Sequence, residues 1–533
     1  MIPFFNHRKI YYWCLVLILV SLPLSLFALS VGMISLTVNW ILEGHFKTKW
    51  AQLKKSPALY IFFLIYLLHL VGLIYSSDFS YAIKDIRIKL PLFILPLVIG
   101  TSESLSFKQW HRLLLWFTAS VVAATLISTA VLLKLTPIPV EDIRDISIFI
   151  SHIRFSLMIN LALFSLLYFV FKPVSIYRKY EKMLYGVVIL WLAAFLFLLK
   201  AFTGIIIFGV LLFAFSIYYT FKIKNFMLKW FLQIAILGVV LVVASYLTHA
   251  VARYYSKDPW PVSHLEEYTA KGNPYYHNKK NKQVENGHYV YLYICEKELR
   301  KAWEAESNYP YDSLDDKGQE LKYTLFRYLT SKNLRKDAGG LNKLSNQDIR
   351  NIEKGMANHI FANNYSLYPR IYQLIWQIDI YRTQGYVSGH SLAQRFVYWE
   401  TGWQIFKENP WIGVGTGDVQ TEFDRVYNEM GVDLPRDRRR RAHNQYLTFM
   451  LTFGGVGFLI FLFALIYPVC KTKIYKHYLF NVFFLIALLS MLNEDTLETH
   501  TGVSFFIVFY AIYIYGIDYS GMLQTNETAH DEN

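Results

Sequence analysis

The chain has 533 residues, of which 54% are hydrophobic and only 17% are charged. A soluble domain carries about a quarter charged residues, so long apolar runs separated by short basic connectors predict a polytopic membrane protein. The formal charge of +14 does not predict a nucleic-acid partner, because many basic residues lie in connectors where membrane topology needs them. The three cysteines are too few for a disulfide framework or a thiolate metal site.

In chain order, the apolar runs predict an all-α membrane protein with about twelve transmembrane helices, each needing roughly 17 to 25 apolar residues at full length. The first run has the length of a signal peptide but lacks a small-residue cleavage site, so we expect a retained helix. The candidate spans are Ile10–Ser30, Val31–Leu42, Pro57–Tyr75, Leu90–Gly100, Leu113–Leu133, Ile148–Phe171, Leu184–Leu198, Ile205–Phe221, Phe226–Val251, Asn444–Cys470, Tyr478–Leu492 and Val503–Ile517.

The connectors alternate between basic and acidic, which predicts orientation by the positive-inside rule. Basic connectors at residues 47–55, 172–182, 222–229 and 471–476 alternate with acidic ones such as residues 493–498. Both termini are therefore expected in the cytoplasm. The predicted domains are transmembrane helices over 1–251, a large extracytoplasmic loop over 252–443, further helices over 444–517 and a disordered tail over 518–533.

The large loop contains helix-like stretches, and we expect a small helical lobe there. These stretches are Glu296–Glu304, Gln319–Leu329, Asn346–Asn358 and Ser391–Lys407. The Pro-, Gly- and Asn-rich run from Asp258 to Gly287 predicts a loop or a mobile lid.

The end of this loop contains the densest group of candidate functional residues. Arg395 and Trp399 are spaced to lie on one helical face, either as an anion clamp or as an interfacial arginine with a tryptophan anchor. The run from Pro410 to Gly417 is interpreted mainly as a structural turn, since no strand precedes it as a dinucleotide fingerprint would require.

A cluster of arginines, including Arg438 and Arg441, ends the loop and requires an anionic partner. That partner is either membrane lipid phosphate or a pyrophosphate-bearing substrate, because the guanidinium group suits phosphate oxygens. His443 follows at the predicted start of a helix, where the helix dipole and the cations favour neutral imidazole. We therefore expect a base, with a capping or interfacial histidine as the alternative.

Three more ionisable residues, His152, Arg154 and Lys200, lie at span ends on the same side as the loop. Ionisable groups at such depth suggest a site, and snorkelling to the interface is the alternative. Metal-ligand spacings, phosphate-binding loops and paired catalytic carboxylates do not stand out, so neither a cofactor nor a metal is predicted.

These motifs together resemble the O-antigen ligase and polymerase superfamily of bacterial GT-C-type membrane glycosyltransferases. The resemblance rests on the layout of spans with one large late loop, on Arg395-x-x-x-Trp399 before Asn409-Pro410-x-x-Gly413-x-Gly415, and on His443-Asn444 opening the next span. It implies an inner-membrane enzyme with a periplasmic active site. Such an enzyme transfers a glycan from undecaprenyl pyrophosphate to a hydroxyl, with inversion and without a metal.

By the same resemblance, His443 is expected to activate the acceptor hydroxyl and Arg395 to bind the pyrophosphate. The residues implied to bind pyrophosphate or lipid are Arg154, His152, Lys200, Arg438, Arg441, Trp399 and Asn444. Phe202 occupies a position where the family usually has arginine, which leaves Lys200 as a candidate for that charge. The segment between Tyr254 and Ser391 is longer than the family pattern.

The favoured member is an O-antigen ligase, whose acceptor is the lipid A core. An O-antigen polymerase and a protein O-oligosaccharyltransferase share this chemistry and stay open. A transporter of lipid-linked glycans is the alternative from another class, although the sequence lacks the internal repeats common in transporters.

Overall fold

A computed structural model describes residues 6–140, 143–171, 179–260, 265–363, 366–384, 391–432 and 434–519. The protein is mostly helical with almost no sheet, as predicted. The chain divides into two compact units, formed by residues 1–222 with 394–533 and by residues 223–393. The predicted tail falls almost entirely outside the described residues.

The first unit is an assembly of helices drawn from both ends of the chain. Its helices before the second unit are α1 (His7–Ser21), α2 (Leu26–Glu43), α3 (Phe46–Lys55), α4 (Pro57–Phe62), α5 (Leu64–Ile74), α6 (Phe79–Lys89), α7 (Pro91–Thr101), α8 (Phe107–Leu132), α9 (His152–Phe171), α10 (Lys179–Leu198) and α11 (Phe202–Lys222).

The second unit consists of a long apolar helix and a polar lobe with its own core. Its elements are α12 (Phe226–Tyr255), β1 (Val284–Glu285), β2 (His288–Tyr289), α13 (Glu296–Glu306), α14 (Leu321–Ser331), α15 (Ala338–Leu341), α16 (Asn346–Glu353) and α17 (Tyr368–Gln384). The two short strands pair antiparallel. Trp303, Tyr311 and Tyr328 are among the fully buried side chains of the lobe core.

The remaining helices are α18 (Ser391–Glu408), α19 (Val419–Glu429), α20 (Gln445–Thr472), α21 (Tyr478–Met491) and α22 (His500–Ala511), the last continuing as a π-helical turn, Ile512–Gly516. In the first unit, α9 packs against α8, α10, α11 and α21. Residues 501–513 of α22 and its continuation are all buried. These contacts place α9 and α22 in the apolar core.

Among the described residues, eight helical stretches are long and apolar enough to cross a membrane. They are Leu26–Glu43, Pro57–Ile74, Phe107–Leu132, His152–Phe171, Lys179–Leu198, Phe202–Lys222, Phe226–Tyr255 and Gln445–Thr472. Two shorter apolar helices are Tyr478–Met491 and His500–Gly516. The protein is thus a multi-helix membrane protein, whereas the count of about twelve spans stays a prediction.

The predicted boundary between the first two spans, at Ser30 and Val31, is wrong. The first helix ends at Ser21 and the second begins at Leu26. Pro23 lies in the connection, and the side chain of Ser25 accepts a hydrogen bond from the backbone N–H of Ala28. A proline and an N-cap serine together end one helix and start the next, which hydropathy alone does not register.

The four helices predicted within the loop are confirmed as α13, α14, α16 and α18. The ends of three of them differ by one or two residues, whereas α16 ends at Glu353, five residues before the predicted Asn358. Within this loop the sequence missed α15, α17 and α19. In its described part, the run from Asp258 to Gly287 is non-helical, and backbone bridges tie Tyr268 to Pro274 and Tyr276 to Ile294. The described part of the predicted loop is therefore hydrogen-bonded within itself and to the segment around Ile294.

Candidate active site

The turn between α21 and α22 places three carboxylates, Glu494, Asp495 and Glu498, close to one another and largely out of solvent. Glu494 and Asp495 are 7% and 8% exposed. Buried carboxylates require hydrogen bonds or cations to offset the loss of hydration. The partners that provide them come from α6, α18, α20 and the segment before α20.

Arg395 on α18 binds this turn with both ends of its guanidinium group. One terminal nitrogen donates to Oδ1 of Asn493 at 2.6 Å, and the other donates to Oε1 of Glu494 at 2.8 Å. A guanidinium fork that holds two oxygens fixes orientation as well as charge. The sequence pointed to Arg395 as an anion clamp, and in the structure its anion is a carboxylate of the protein.

His443 lies on the other side of the same carboxylate. Its backbone N–H donates to Oδ2 of Asp495 at 2.9 Å, and its Nδ1 lies 3.9 Å from Oε2 of Glu494. Its φ is +48°, a left-handed conformation that is uncommon for residues other than glycine. Arg395 and His443 thus meet at Glu494, with one oxygen of the carboxylate facing each residue.

The ring of Tyr398, one turn after Arg395, stacks at 5.8 Å from the His443 ring. The tyrosine hydroxyl donates to the carbonyl oxygen of Arg438 at 2.6 Å. Nδ1 of His443 is buried, whereas the His443 side chain as a whole is 27% exposed. Solvent therefore reaches the ring from the side away from Glu494.

A cavity of about 330 Å³ opens beside His443 and Glu494. Its basic lining residues are Lys84, Arg154, Arg439, Arg440 and Arg441, and its acidic ones are Asp85, Glu494, Asp495 and Glu498. Within the described residues, Lys84, Arg154 and Arg440 form no ion pair with a carboxylate. The cavity therefore offers cations to an incoming anion, while its carboxylates are engaged with protein groups.

Lys89 and Arg441 neutralise the deepest carboxylates of the cavity. The Lys89 ammonium lies 2.5 Å from Asp85 and 2.7 Å from Glu498, and Arg441 also forms an ion pair with Glu498. Burial raises the pKa of Asp85 to about 7 although Lys89 opposes it. For Glu498, burial is outweighed by the charges of Lys89 and Arg441, which hold its pKa well below the ordinary value.

The two carboxylates nearest His443 shift in opposite directions. Burial raises the pKa of Glu494, but the His443 contact and the charges of Arg395 and Arg154 outweigh it, so the net pKa is lowered. For Asp495, burial and the nearby Glu498 charge dominate and raise its pKa. Of these two carboxylates, Glu494 is therefore the one that the surrounding cations keep ionised.

Three of the other predicted binding residues lie away from this lining. His152 and Lys200 are not among the described residues that line the cavity, and Arg438 contacts Tyr398 through its carbonyl oxygen. Lys200 lies in the connection between α10 and α11. Close to this connection, the hydroxyl of Thr203 accepts a 2.7 Å hydrogen bond from Asn493. The roles predicted for these residues stay predictions.

Asn444 and Trp399, two further predicted binding residues, do not line the cavity. Oδ1 of Asn444 accepts from the backbone N–H groups of Tyr446 and Leu447 and caps α20, so this oxygen is occupied by the helix. Trp399 does not line the cavity, and its indole Nε1 is buried with no hydrogen-bond partner among the described residues. Asn444 is therefore the N-cap of α20, and its predicted substrate contact stays a prediction.

The Pro410–Gly417 run packs as a turn, as the sequence indicated. Val414 and Gly415 donate backbone hydrogen bonds to Leu451 and Thr452 of α20 at 3.0 and 2.9 Å. Gly413 adopts φ +69°, and a Cβ there would lie 2.3 Å from the backbone of Thr452. The turn thus attaches the end of α18 to α20, the helix that begins just after His443.

The sequence interpretation missed Glu494, Asp495 and Glu498 as site residues and used them only as markers of membrane side. Asp85, Lys89 and Tyr398 were also missed. The sequence did contain an indication of these residues, namely acidic residues in a short connector between two apolar helices. Burying a carboxylate there is costly unless a specific partner is present.

Comparison with known proteins gives one family match. Residues 353–462 match a family model described as O-antigen ligase, a range that contains Arg395, the Pro410–Gly417 turn and His443. The match supports the O-antigen ligase superfamily and does not distinguish ligases from polymerases. A search of curated proteins finds no match.

Proposed function

Given a membrane protein with an O-antigen ligase family domain at residues 353–462, we propose that this chain is an O-antigen ligase. It would transfer a glycan from undecaprenyl pyrophosphate to a hydroxyl of the lipid A core, at the periplasmic face of the inner membrane. Direct displacement would invert the anomeric centre. The observation that carries the proposal is the approach of Arg395 and His443 to the same carboxylate, with His443 lining a cavity rich in cations.

The cations of the cavity fit the departing pyrophosphate. As the bond between the anomeric carbon and the phosphate oxygen breaks, negative charge builds on that oxygen. Arg154 and Arg440 line the cavity without a carboxylate partner among the described residues, so they can meet this charge. Each well-placed contact of this kind stabilises a transition state by roughly 3 kcal/mol.

His443 fits the role of general base for the acceptor hydroxyl. The acceptor oxygen forms a bond to the anomeric carbon and loses its proton to the imidazole, which can then release it to solvent. Glu494 lies on the Nδ1 side of the ring, so a proton on Nδ1 would leave Nε2 free to accept. General bases of this kind contribute roughly 10²- to 10⁴-fold.

Arg395 would act by holding the carboxylate of Glu494 rather than by contacting the donor. Its guanidinium group fixes Asn493 and Glu494, and Glu494 in turn faces the imidazole. In this proposal Arg395 positions the base, whereas the family resemblance implies that it binds pyrophosphate. Contact of Arg395 with the donor stays a prediction.

The test uses His443→Ala and Arg395→Gln in full-length protein, with lipid-linked glycan and lipid A core as substrates. We expect His443→Ala to lose roughly 10²-fold or more of the transfer rate, because the hydroxyl proton has no acceptor. The matched control is Arg425→Gln, since Arg425 pairs with Glu408 at the end of α18 and with Glu422 and Glu429 on α19 and does not line the cavity. Full transfer by His443→Ala would reject the proposed base.

The same assay separates the related functions by acceptor. Transfer to a second carrier-linked glycan, with none to lipid A core, would replace the ligase by a polymerase. Transfer to a protein serine or threonine would indicate an oligosaccharyltransferase. Movement of the glycan across vesicles without transfer to any acceptor would indicate a transporter.

A further inference from the structure

The second unit contains a cleft that the transfer chemistry does not use. Four residues of α12, Tyr246, His249, Ala250 and Arg253, line it, and their spacing places them on one face of the helix. His359 and Tyr368 close it from the lobe and from α17. The cleft thus forms where an apolar helix ends and a polar lobe begins.

Two neighbouring cavities, of about 390 and 420 Å³, share Arg253, His359 and Tyr368. These volumes are within the range of small-molecule sites. The second cavity adds a lysine, three polar side chains and two further ring side chains, namely Lys332, Asn286, Ser331, Asn333, His288 and Tyr372. No aspartate or glutamate is among the described lining residues, so the cleft is polar, aromatic and cationic.

Arg253 is the cation of the cleft that lacks a carboxylate. Its guanidinium group lies over the Tyr368 ring, 4.7 Å from the centroid, and it forms no ion pair within the described part of the chain. Two other groups of the cleft do have carboxylate partners, since Lys332 pairs with Asp348 and His288 with Asp258. Arg253 is therefore held in place and available to an anion.

Three other arginines of the lobe are arranged differently. Arg300, Arg327 and Arg335 each form an ion pair, with Asp312, Glu285 and Glu266 respectively. Arg300 also lies over a tyrosine ring, that of Tyr311, at 4.6 Å. Stacking on tyrosine is thus common to Arg253 and Arg300, and the missing carboxylate distinguishes Arg253 from Arg300.

The surroundings of Arg253 specify the class of ligand. None of the apolar stretch of α12 is buried within the protein, so its last turn lies where lipid head groups meet water. Guanidinium groups recognise phosphate, and the tyrosine rings with the amides of Asn286 and Asn333 suit a saccharide. We propose that this cleft binds the phosphorylated head group of a glycolipid.

The surroundings of His359 suit a neutral imidazole that forms a hydrogen bond to such a head group. Its Nδ1 lies 3.1 Å from the Ser331 hydroxyl, while Nε2 has no partner among the described residues. Burial, with the charges of Lys332 and Arg253, lowers the pKa of His359. Arg253 therefore supplies the charge, and His359 supplies a hydrogen-bonding ring nitrogen.

The test measures binding of fluorescent lipid A, a phosphorylated glycolipid, to the purified full-length protein in detergent micelles. Arg253→Gln should weaken the binding about tenfold, as expected for loss of one charge-assisted hydrogen bond. Arg253→Lys should weaken it less, and Arg300→Gln should leave it unchanged. Equal melting temperatures for the three variants would show that each is folded.

Two results would overturn the proposal. One is lipid A binding by Arg253→Gln equal to that of the unmodified protein. The other is competition by phosphatidylglycerol as effective as that by unlabelled lipid A, because an anionic lipid without sugar would then suffice.

Use of the bound glycolipid as an acceptor rests on the proposed function, but the binding itself does not. If Arg253→Gln binds normally while His443→Ala is inactive, only the cleft assignment fails. If binding depends on Arg253 while His443→Ala transfers glycan normally, only the proposed function fails.

Discussion

Glu494 lies between Arg395 and His443, the two residues that the sequence selected as candidates for catalysis. Each of its carboxylate oxygens faces one of them, the first the guanidinium group of Arg395 and the second the imidazole of His443. A largely buried carboxylate between two cationic or basic groups costs little to keep ionised, because the charges that surround it replace lost hydration. The imidazole itself stacks on the ring of Tyr398, with Nδ1 turned towards Glu494 at 3.9 Å.

This arrangement predicts a specific acid response for Glu494→Gln. Since the pKa of Glu494 is lowered in the folded protein, its stabilising contribution is present above the ordinary value of about 4.3 and is lost as the pH falls through the folded value. Glu494→Gln removes that titrating contribution. Thermal unfolding measured from neutral to acidic pH should therefore show a smaller loss of melting temperature for the variant.

The matched control for this measurement is Glu422→Gln on α19, which removes a carboxylate paired with Arg425 away from the cavity. Its acid response should follow that of the unmodified protein. Equal acid responses of Glu494→Gln and the unmodified protein would contradict the assigned charge state.

At the scale of elements, the break in α20 and the Pro410–Gly417 turn form one joint. Gly454 interrupts the helix with φ +67° and ψ −175°. Gly455 and Val456 donate to the carbonyl oxygens of Pro410 and Trp411 at 2.7 and 3.3 Å. The carbonyls of the turn thus receive backbone hydrogen bonds where the helix is interrupted, and this holds α18 against the helix that follows His443.

Gly454→Ala should disrupt this joint. The backbone angles belong to a region that only glycine adopts readily, which costs other residues of order 1–3 kcal/mol, and the added Cβ would lie 2.1 Å from the backbone of Trp411. Gly209→Ala on α11 is the matched control, because a Cβ there meets nothing within 4 Å. We expect a clear fall in melting temperature for Gly454→Ala only.

An unchanged melting temperature for Gly454→Ala would mean that the joint does not stabilise the fold. Loss of stability in Gly209→Ala to the same extent would mean that the effect arises from alanine in any apolar helix. Detergent-solubilised protein and a thermal unfolding scan are sufficient to separate these outcomes.

At the scale of the whole molecule, the chain builds two units with separate apolar cores. The first unit includes the site around Glu494, and the second includes α12 and the polar lobe. The positive-inside rule predicts opposite membrane sides for the lobe and for the connector after α20. That orientation decides whether the lobe faces the compartment that holds the proposed acceptor.

Cysteine labelling tests the orientation. Lys271→Cys introduces an exposed thiol in the lobe, and Lys476→Cys introduces one in the connector after α20. In cells whose outer envelope is permeabilised, a membrane-impermeant maleimide should label Lys271→Cys, whereas Lys476→Cys should require lysis. The unmodified protein reports labelling of the native cysteines, and the reverse pattern would reject the proposed orientation.

The sequence by itself determined the helical class, the membrane character and the four helices of the loop, and it selected Arg395 and His443 as candidate site residues. These properties depend on composition, on hydropathy and on short motifs, all of which are local. Only the tertiary structure decided that Glu494 lies between those residues, that Asn444 caps a helix and that Arg253 lacks a carboxylate. Ion pairs and cavities join residues distant in the chain, and their energies depend on which groups folding brings together in a low dielectric.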